Sequence, residues 1–420
     1  MRKINKILIG LLLIVTIFLG IGYSAIENIT LDIEGTAIAK TSEKILITGE
    51  EFNKLLKGST SATTSDTTIT RIVFDYWKNG YIDNETVLFE DSDWASGTIV
   101  DEAGVGGIKL FKSSDGKTVY ILSEDVIYAN VDSSYMFPFL KTITEIDFNN
   151  FNTSKVKNMN HLFDNCIAIQ KLNISSFDTE NVTTMNCMFG SCFALTQIDF
   201  GIFNTSNVQN MSYMFYNCRA LTNIDISAFN TEKVQNMDYM FAYCIKLKEL
   251  DLSSFNTTNV KSFAYMFYQC YDLTKLDISK FDTSNATKMN AMFGYLYSLK
   301  DIDVSHFNTS NVTTMERMFN NSKFEILDLS TFDTSKVTSM KKMFTNSTNL
   351  ITIYVSDKWT TEKVNHSSIT DEEQPFLDCT NLVGGAGTTY NSSNVDITYA
   401  RIDGGTNSET PGYLTLKSSI

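Results

Sequence analysis

Proline and histidine are scarce in this chain, with three of each in 420 residues. So few prolines argue against long disordered linkers. His161, His306 and His366 are too scattered for a histidine-based metal or acid–base constellation. The Gly-x-Ser-x-Gly elbow, the His-Glu-x-x-His pair and the phosphate-cradling glycine loop are all missing. Asp91 and Asp93 are the best carboxylate pair outside the repeats, and they read as solvated loop residues. No catalytic residue, cofactor or metal is therefore expected. An excess of positive charge is missing too: the net charge is -14. That argues against nucleic acid and against an anionic membrane surface, both of which need a basic stripe.

What is present begins at the N-terminus. Arg2, Lys3 and Lys6 precede an apolar run from Ile7 to Gly22, the pattern of an export signal. Gly22 and Ser24 stand at -3 and -1 of a cut before Ala25. Cleavage there and retention as an N-terminal anchor are both open, and either places the remaining chain outside the cytoplasm. The apolar segment is then the expected means of membrane attachment. The seven cysteines do not form a disulfide pattern. Cys166, Cys192, Cys218, Cys244 and Cys270 share one repeat position, where Leu296, Ser322 and Ser347 follow. Neighbouring coils stack about 4.8 Å apart, wider than the ~3.8 Å between disulfide Cβ atoms. These read as free packing thiols. Cys187 and Cys192 lack the second pair that a zinc site would need.

The repeat is the dominant signal. Phe151, Phe177, Phe203, Phe229, Phe255, Phe281, Phe307 and Phe332 recur about every 26 residues, the period of a solenoid. In one unit Leu221, Ile224, Ile226 and Phe229 follow the Leu-x-x-Leu-x-Leu strand pattern. Val234, Met237, Met240, Phe241 and Cys244 fit one face of a helix. Asn230-Thr231 lies between them as turn chemistry. The expected fold is an α/β solenoid, a leucine-rich repeat array of strand-turn-helix units with β-rich N-terminal and C-terminal caps. Residues 1–25 form the signal or anchor, and 26–70 a polar spacer. Residues 71–132 form a β-rich cap, 133–382 the array, and 383–420 a closing hairpin cap.

The joined motif Met-Phe-x-x-Cys-x-x-Leu-Thr-x-Ile-Asp-Ile-Ser-x-Phe-Asn-Thr, as in Met214 to Thr231, resembles the BspA-like leucine-rich repeat surface proteins of bacteria. The segment from Gly106 to Phe137 and the tail Asn381 to Tyr390, Tyr399 to Gly405 and Pro411-Gly-Tyr413 look like their flanking modules. The resemblance implies an exported, cell-surface adhesin that contacts host matrix proteins, glycans or other cells, with no catalytic residues. A structural, self-associating surface component is the alternative.

Two sets of residues are candidate ligand contacts. Asp199, Asp225, Asp251, Asp277 and Asp303 share an outward strand phase, where like charges about 4.8 Å apart repel by ~1 kcal/mol per neighbour. They are a cation-binding or basic-group-binding ribbon, or each carboxylate accepts hydrogen bonds from neighbouring Ser, Thr or backbone groups, with Ser227, Ser253, Ser279 and Ser305 two residues downstream. Tyr213, Tyr239 and Tyr265 repeat in register with other tyrosines nearby, and form either a contact patch or lateral packing between adjacent helices. The ligand is an extracellular protein or glycan, and the oligomeric state is open.

Overall fold

Each short strand lies parallel to the strand one repeat away. Lys171–Asn173 pairs with Gln197–Asp199 and Glu249–Asp251 with Lys275–Asp277, with Leu250 opposite Leu276. A second parallel ladder runs along another side of the stack, through Asp132, Asn158, Thr184, Asn210, Asn236, Ser262, Lys288, Thr314 and Ser339. The computed structural model describes residues 43–78, 81–82, 85–88, 91–364 and 374–417, and the backbone of two strands, Ile29–Leu31 and Ala37–Ala39. The export signal, His366 and most of the insertion around it lie outside the described residues.

The expected α/β solenoid is corrected here. Among the described residues, the α-helices are Gly49–Lys57 and Asp91–Ser96, and both precede the repeats. Within the repeats the strands are two to four residues long and form small separate sheets. Where a helix was predicted, the chain instead makes successive tight turns. Met214 N–H donates to the Met211 carbonyl at 3.3 Å and Cys218 N–H to the Phe215 carbonyl at 3.2 Å. The third residue of each turn is left-handed, Tyr213 at φ 58° and Asn217 at φ 61°, as in type II turns. The same pair of positions is left-handed in every coil from Tyr135 and Phe139 to Lys342 and Asn346. A non-glycine residue there costs about 1–2 kcal/mol.

Pairing between coils offsets that cost. Met211, Tyr213, Phe215 and Asn217 donate their N–H groups to the carbonyls of Asn236, Asp238, Met240 and Ala242 in the next coil. A helix would have directed these bonds inside its own unit. The apolar periodicity misled because a corner every three or four residues also turns Val234, Met237, Met240, Phe241 and Cys244 inward. All five are fully buried.

Inside the stack, like side chains form columns. Phe137, Phe163, Phe189, Phe215 and Phe241 continue through to Phe376, with successive rings nearly parallel; Phe189 and Phe215 are 5.5 Å apart at 7°. The phase-marking phenylalanines form a second buried column. Thr179, Thr205, Thr231, Thr257, Thr283 and Thr309 are also buried. Each donates its hydroxyl to a carbonyl of the following coil, as Thr257 does to Asp282 at 2.9 Å. The cysteine column works the same way in the other direction. Cys218 Sγ lies 3.2 Å from the Phe189 carbonyl, and Ser322 Oγ donates to the Phe293 carbonyl at 2.6 Å. Cysteine and serine interchange because each is small and carries a donor. All seven cysteines are free.

At the first coil, Glu145–Asp147 pairs in parallel with Arg71–Lys78, which belongs to a seven-stranded sheet. That sheet includes a hairpin, Lys109–Lys112 with Thr118–Ser123, turned at Gly116 with φ 71°. The stretch expected to be a spacer carries, in its described part, the helix Gly49–Lys57. Phe52 and Leu56 on that helix are fully buried. At the last coil, Leu414–Leu416 adds in parallel to Thr352–Val355.

Candidate functional site

The left-handed turn position holds half-buried side chains at the corners of successive coils, Ala291 being the fully buried exception. Tyr213, Tyr239 and Tyr265 occupy it in succession. Their rings are 4.6 and 4.4 Å apart and tilted by only 9° and 7°. A second row meets them edge-on. Tyr216 touches Tyr213 at 5.3 Å, Tyr268 touches Tyr265 at 5.2 Å, and Tyr243 lies between Tyr216 and Tyr268 at 5.4 and 5.6 Å. Tyr295 and Tyr297 extend the network to Tyr271, which stacks on Tyr297 at 5.0 Å. Nine tyrosines thus form one connected ribbon of half-buried rings, with Tyr297 the most exposed.

Burial raises the hydroxyl pKa of Tyr213, Tyr243, Tyr268, Tyr271 and Tyr297, and that of Tyr239 strongly. These phenols stay protonated at neutral pH and can donate hydrogen bonds. In the stacked column both faces of Tyr239 and one face each of Tyr213 and Tyr265 are covered by neighbouring rings. The sequence located Tyr213, Tyr239 and Tyr265 and their companions. The packing between units is between turn corners and not between helices.

The aspartates sit on the strand side of the coils. Asp251 and Asp277 are direct partners in adjacent parallel strands. Asp199, Asp225, Asp251 and Asp303 are exposed and Asp277 is half-buried. Each is engaged by the residue two positions on. Ser227 donates its N–H at 3.1 Å and its hydroxyl at 2.7 Å to Asp225 Oδ1. The N–H groups of Ser253, Ser279 and Ser305 reach Asp251, Asp277 and Asp303 at 2.9, 3.0 and 2.9 Å. Gly201 supplies only its N–H to Asp199, at 3.2 Å. The serine hydroxyl, followed by the serine N–H, holds the carboxyls of Asp225, Asp251, Asp277 and Asp303 below their ordinary range. The carboxylates therefore cap turns, and one oxygen of each is already taken.

A third constellation escaped the sequence reading. His161 Nδ1 lies 3.0 Å from Asp164 Oδ2, and Cys187 of the next coil joins them. His161 and Cys187 are 26 positions apart in the tyrosine phase. That shared phase was the available signal, and it becomes informative only once the position is known to lie at the surface.

No curated protein matches this sequence. A family model does, three times in overlapping register, over residues 131–225, 199–301 and 272–382. Together these matches run from 131 to 382, which takes in the whole repeat array and more than half of the chain. The chain belongs to the family described as Mycoplasma protein of unknown function, DUF285.

Proposed function

We propose that this is an exported cell-surface protein that binds macromolecules, with the tyrosine ribbon as its contact surface. The observation that carries this reading is the continuity of the ribbon, in which Tyr213, Tyr239 and Tyr265 stack in register and a second row braces them edge-on. Tyrosine offers a large amphipathic contact at low conformational-entropy cost and is enriched at binding hot spots. Here neighbouring rings restrain each side chain before any partner arrives, which lowers the ordering cost of association.

The ribbon favours a protein ligand over a glycan. Sugars pack against open aromatic faces, and in this column both faces of Tyr239 and one each of Tyr213 and Tyr265 are taken by neighbouring rings. Protonated hydroxyls beside ring edges suit a partner with carbonyl acceptors and apolar side chains. Export is supported by the basic residues and apolar run at the N-terminus and by the resemblance of the repeat to BspA-like surface proteins. The reading assigns the chain no reaction.

The test is a screen of immobilised matrix proteins and glycans with the purified chain. Saturable binding to a protein, weakened at least tenfold by Tyr268→Ala, is the expected result. Tyr268→Phe, which keeps the ring packing, controls for folding. No saturable binding, or equal binding by both variants, rejects the ribbon as the contact surface. Concentration-dependent self-association in its place would identify a structural surface component.

A further inference from the structure

The tyrosine column is interrupted once by a pair of metal-ligating side chains. His161 and Cys187 occupy, in adjacent coils, the position held by Tyr135 before them and Tyr213 after them. Asp164 directs its carboxylate into the same space. One ligand atom from each of His161, Asp164 and Cys187 lies within 4.8 Å of the other two. Gly190 makes room for this meeting: a Cβ there would stand 2.3 Å from Cys187 Sγ and 3.1 Å from Asp164 Oδ1. Asn165 Nδ2 donates to Asp164 Oδ1 at 2.9 Å and so leaves Oδ2 for His161, 3.0 Å away. Tyr135 stacks on the imidazole at 4.5 Å and fixes its plane. The other six cysteines are buried, whereas Cys187 is partly exposed. The His161 side chain retains 25% exposure, which gives an ion a way in.

We propose that His161, Asp164 and Cys187 bind a divalent transition-metal ion, Zn²⁺ by the chemistry of the set, with the fourth position open to water. An imidazole nitrogen, a carboxylate oxygen and a thiolate sulfur together suit zinc, whereas Ca²⁺ and Mg²⁺ call for oxygen donors throughout. Tetrahedral bonds of about 2.0–2.3 Å place ligand atoms roughly 3.3–3.8 Å apart. The His161–Asp164 contact opens slightly to reach this, and the wider gaps close by side-chain rotation. Binding releases the Cys187 thiol proton to solvent, shifts the imidazole proton from Nδ1 to Nε2 by exchange with water, and replaces the His161–Asp164 hydrogen bond with two bonds to the ion. The Asn165 bond to the far carboxylate oxygen is the kind of outer contact that orients a ligand.

The untagged full chain, dialysed against Co²⁺ as a spectroscopic substitute for Zn²⁺, provides the test. Stoichiometric uptake with thiolate-to-cobalt charge-transfer absorption, lost on adding Zn²⁺, is expected. Cys187→Ser should abolish that absorption, and Asp164→Asn should weaken uptake by about tenfold or more. His161→Tyr installs the residue that the preceding coil carries at this position, Tyr135, so it should melt no lower than the native metal-free chain while failing to bind. A native chain without the charge-transfer band, or unchanged binding in the Cys187 or His161 variant, overturns the site.

Discussion

Asp251 and Asp277 face each other across adjacent parallel strands, and each is held by the serine two residues further on. The serine bonds outweigh the repulsion: the Asp277 carboxyl is lowered first by Ser279, and Asp251 opposes this only weakly. A carboxyl with a depressed folded pKa contributes stability above its unfolded value of about 3.9, and that contribution is lost as pH falls through the folded pKa. Urea midpoints should therefore hold level from pH 7 to about pH 5 and fall in more acidic solution. Ser279→Ala narrows the gap between the folded and unfolded pKa of Asp277, so it should lower the midpoint at neutral pH and make the acid fall smaller. Because one oxygen of each carboxylate is already held by the serine two residues on, adding Ca²⁺ should leave the melting temperature unchanged. A Ca²⁺-dependent rise would restore the cation-binding reading of this ladder.

The cysteine column makes a different prediction. Cys218→Ser keeps a donor for the Phe189 carbonyl, as Ser322 does for Phe293. Cys218→Ala leaves that carbonyl with only the longer bond from the Cys192 N–H, at 3.4 Å. The serine variant should lie closer to native than the alanine variant, which loses one hydrogen bond of about 0.5–1.5 kcal/mol, read from urea unfolding. Burial also pushes the Cys166, Cys244 and Cys379 thiols up to about 12. A raised pKa favours the protonated thiol in the folded chain. Stability is then fully present below the unfolded value of about 8.5 and declines as pH rises toward 12. Thiol reagents should leave the column unlabelled at neutral pH until the chain unfolds.

Thr257 is buried and doubly bonded across a coil boundary. Its hydroxyl donates to the Asp282 carbonyl at 2.9 Å and accepts from the Asp282 N–H at 2.8 Å. Thr257→Val preserves the shape and strips both bonds. A loss of about 2–3 kcal/mol is expected from two backbone groups left without partners. A loss below 1 kcal/mol in chemical denaturation would show that the threonine column is only filler.

Much of this architecture was legible in the residues, and the illegible part has a physical cause. The spacing of Phe229, Phe255 and Phe281 gave the coil length, and Asn230 and Asp282 were readable as turn residues. Their Oδ1 atoms accept from the N–H two positions on, at 3.0 and 2.9 Å. The tyrosine ribbon was visible as a column because its period matches the coil. The state of the Val234–Cys244 segment was not readable, since helices and serial turns both bring a residue inward every three or four positions. Asn165, Asn217, Asn321 and Asn346 at the second left-handed position were the available clue. Asparagine tolerates that conformation better than most residues, but Tyr243, Gln269 and Tyr295 in the same column obscured it. The Cys187, His161 and Asp164 meeting needed the coil register and the missing side chain of Gly190 together.

The two local structures can be told apart by the sign of one substitution. Lys342 is left-handed at φ 53° and only partly buried, so removing its side chain costs little packing. In a helix interior, Lys342→Gly would lose about 1 kcal/mol, because glycine is the weakest helix former after proline. At a left-handed turn position the same change removes a strain of about 1–2 kcal/mol and adds roughly 0.5–1 kcal/mol of backbone entropy cost. The balance is a gain of about 0.5–1 kcal/mol, visible as a higher urea midpoint with an unchanged slope. Lys342→Val should go the other way, since a β-branched residue is poorly tolerated at positive φ. A glycine variant less stable than native would mean that hydrogen bonds between coils do not hold the turns in the left-handed form, and the helix-free unit would have to be abandoned.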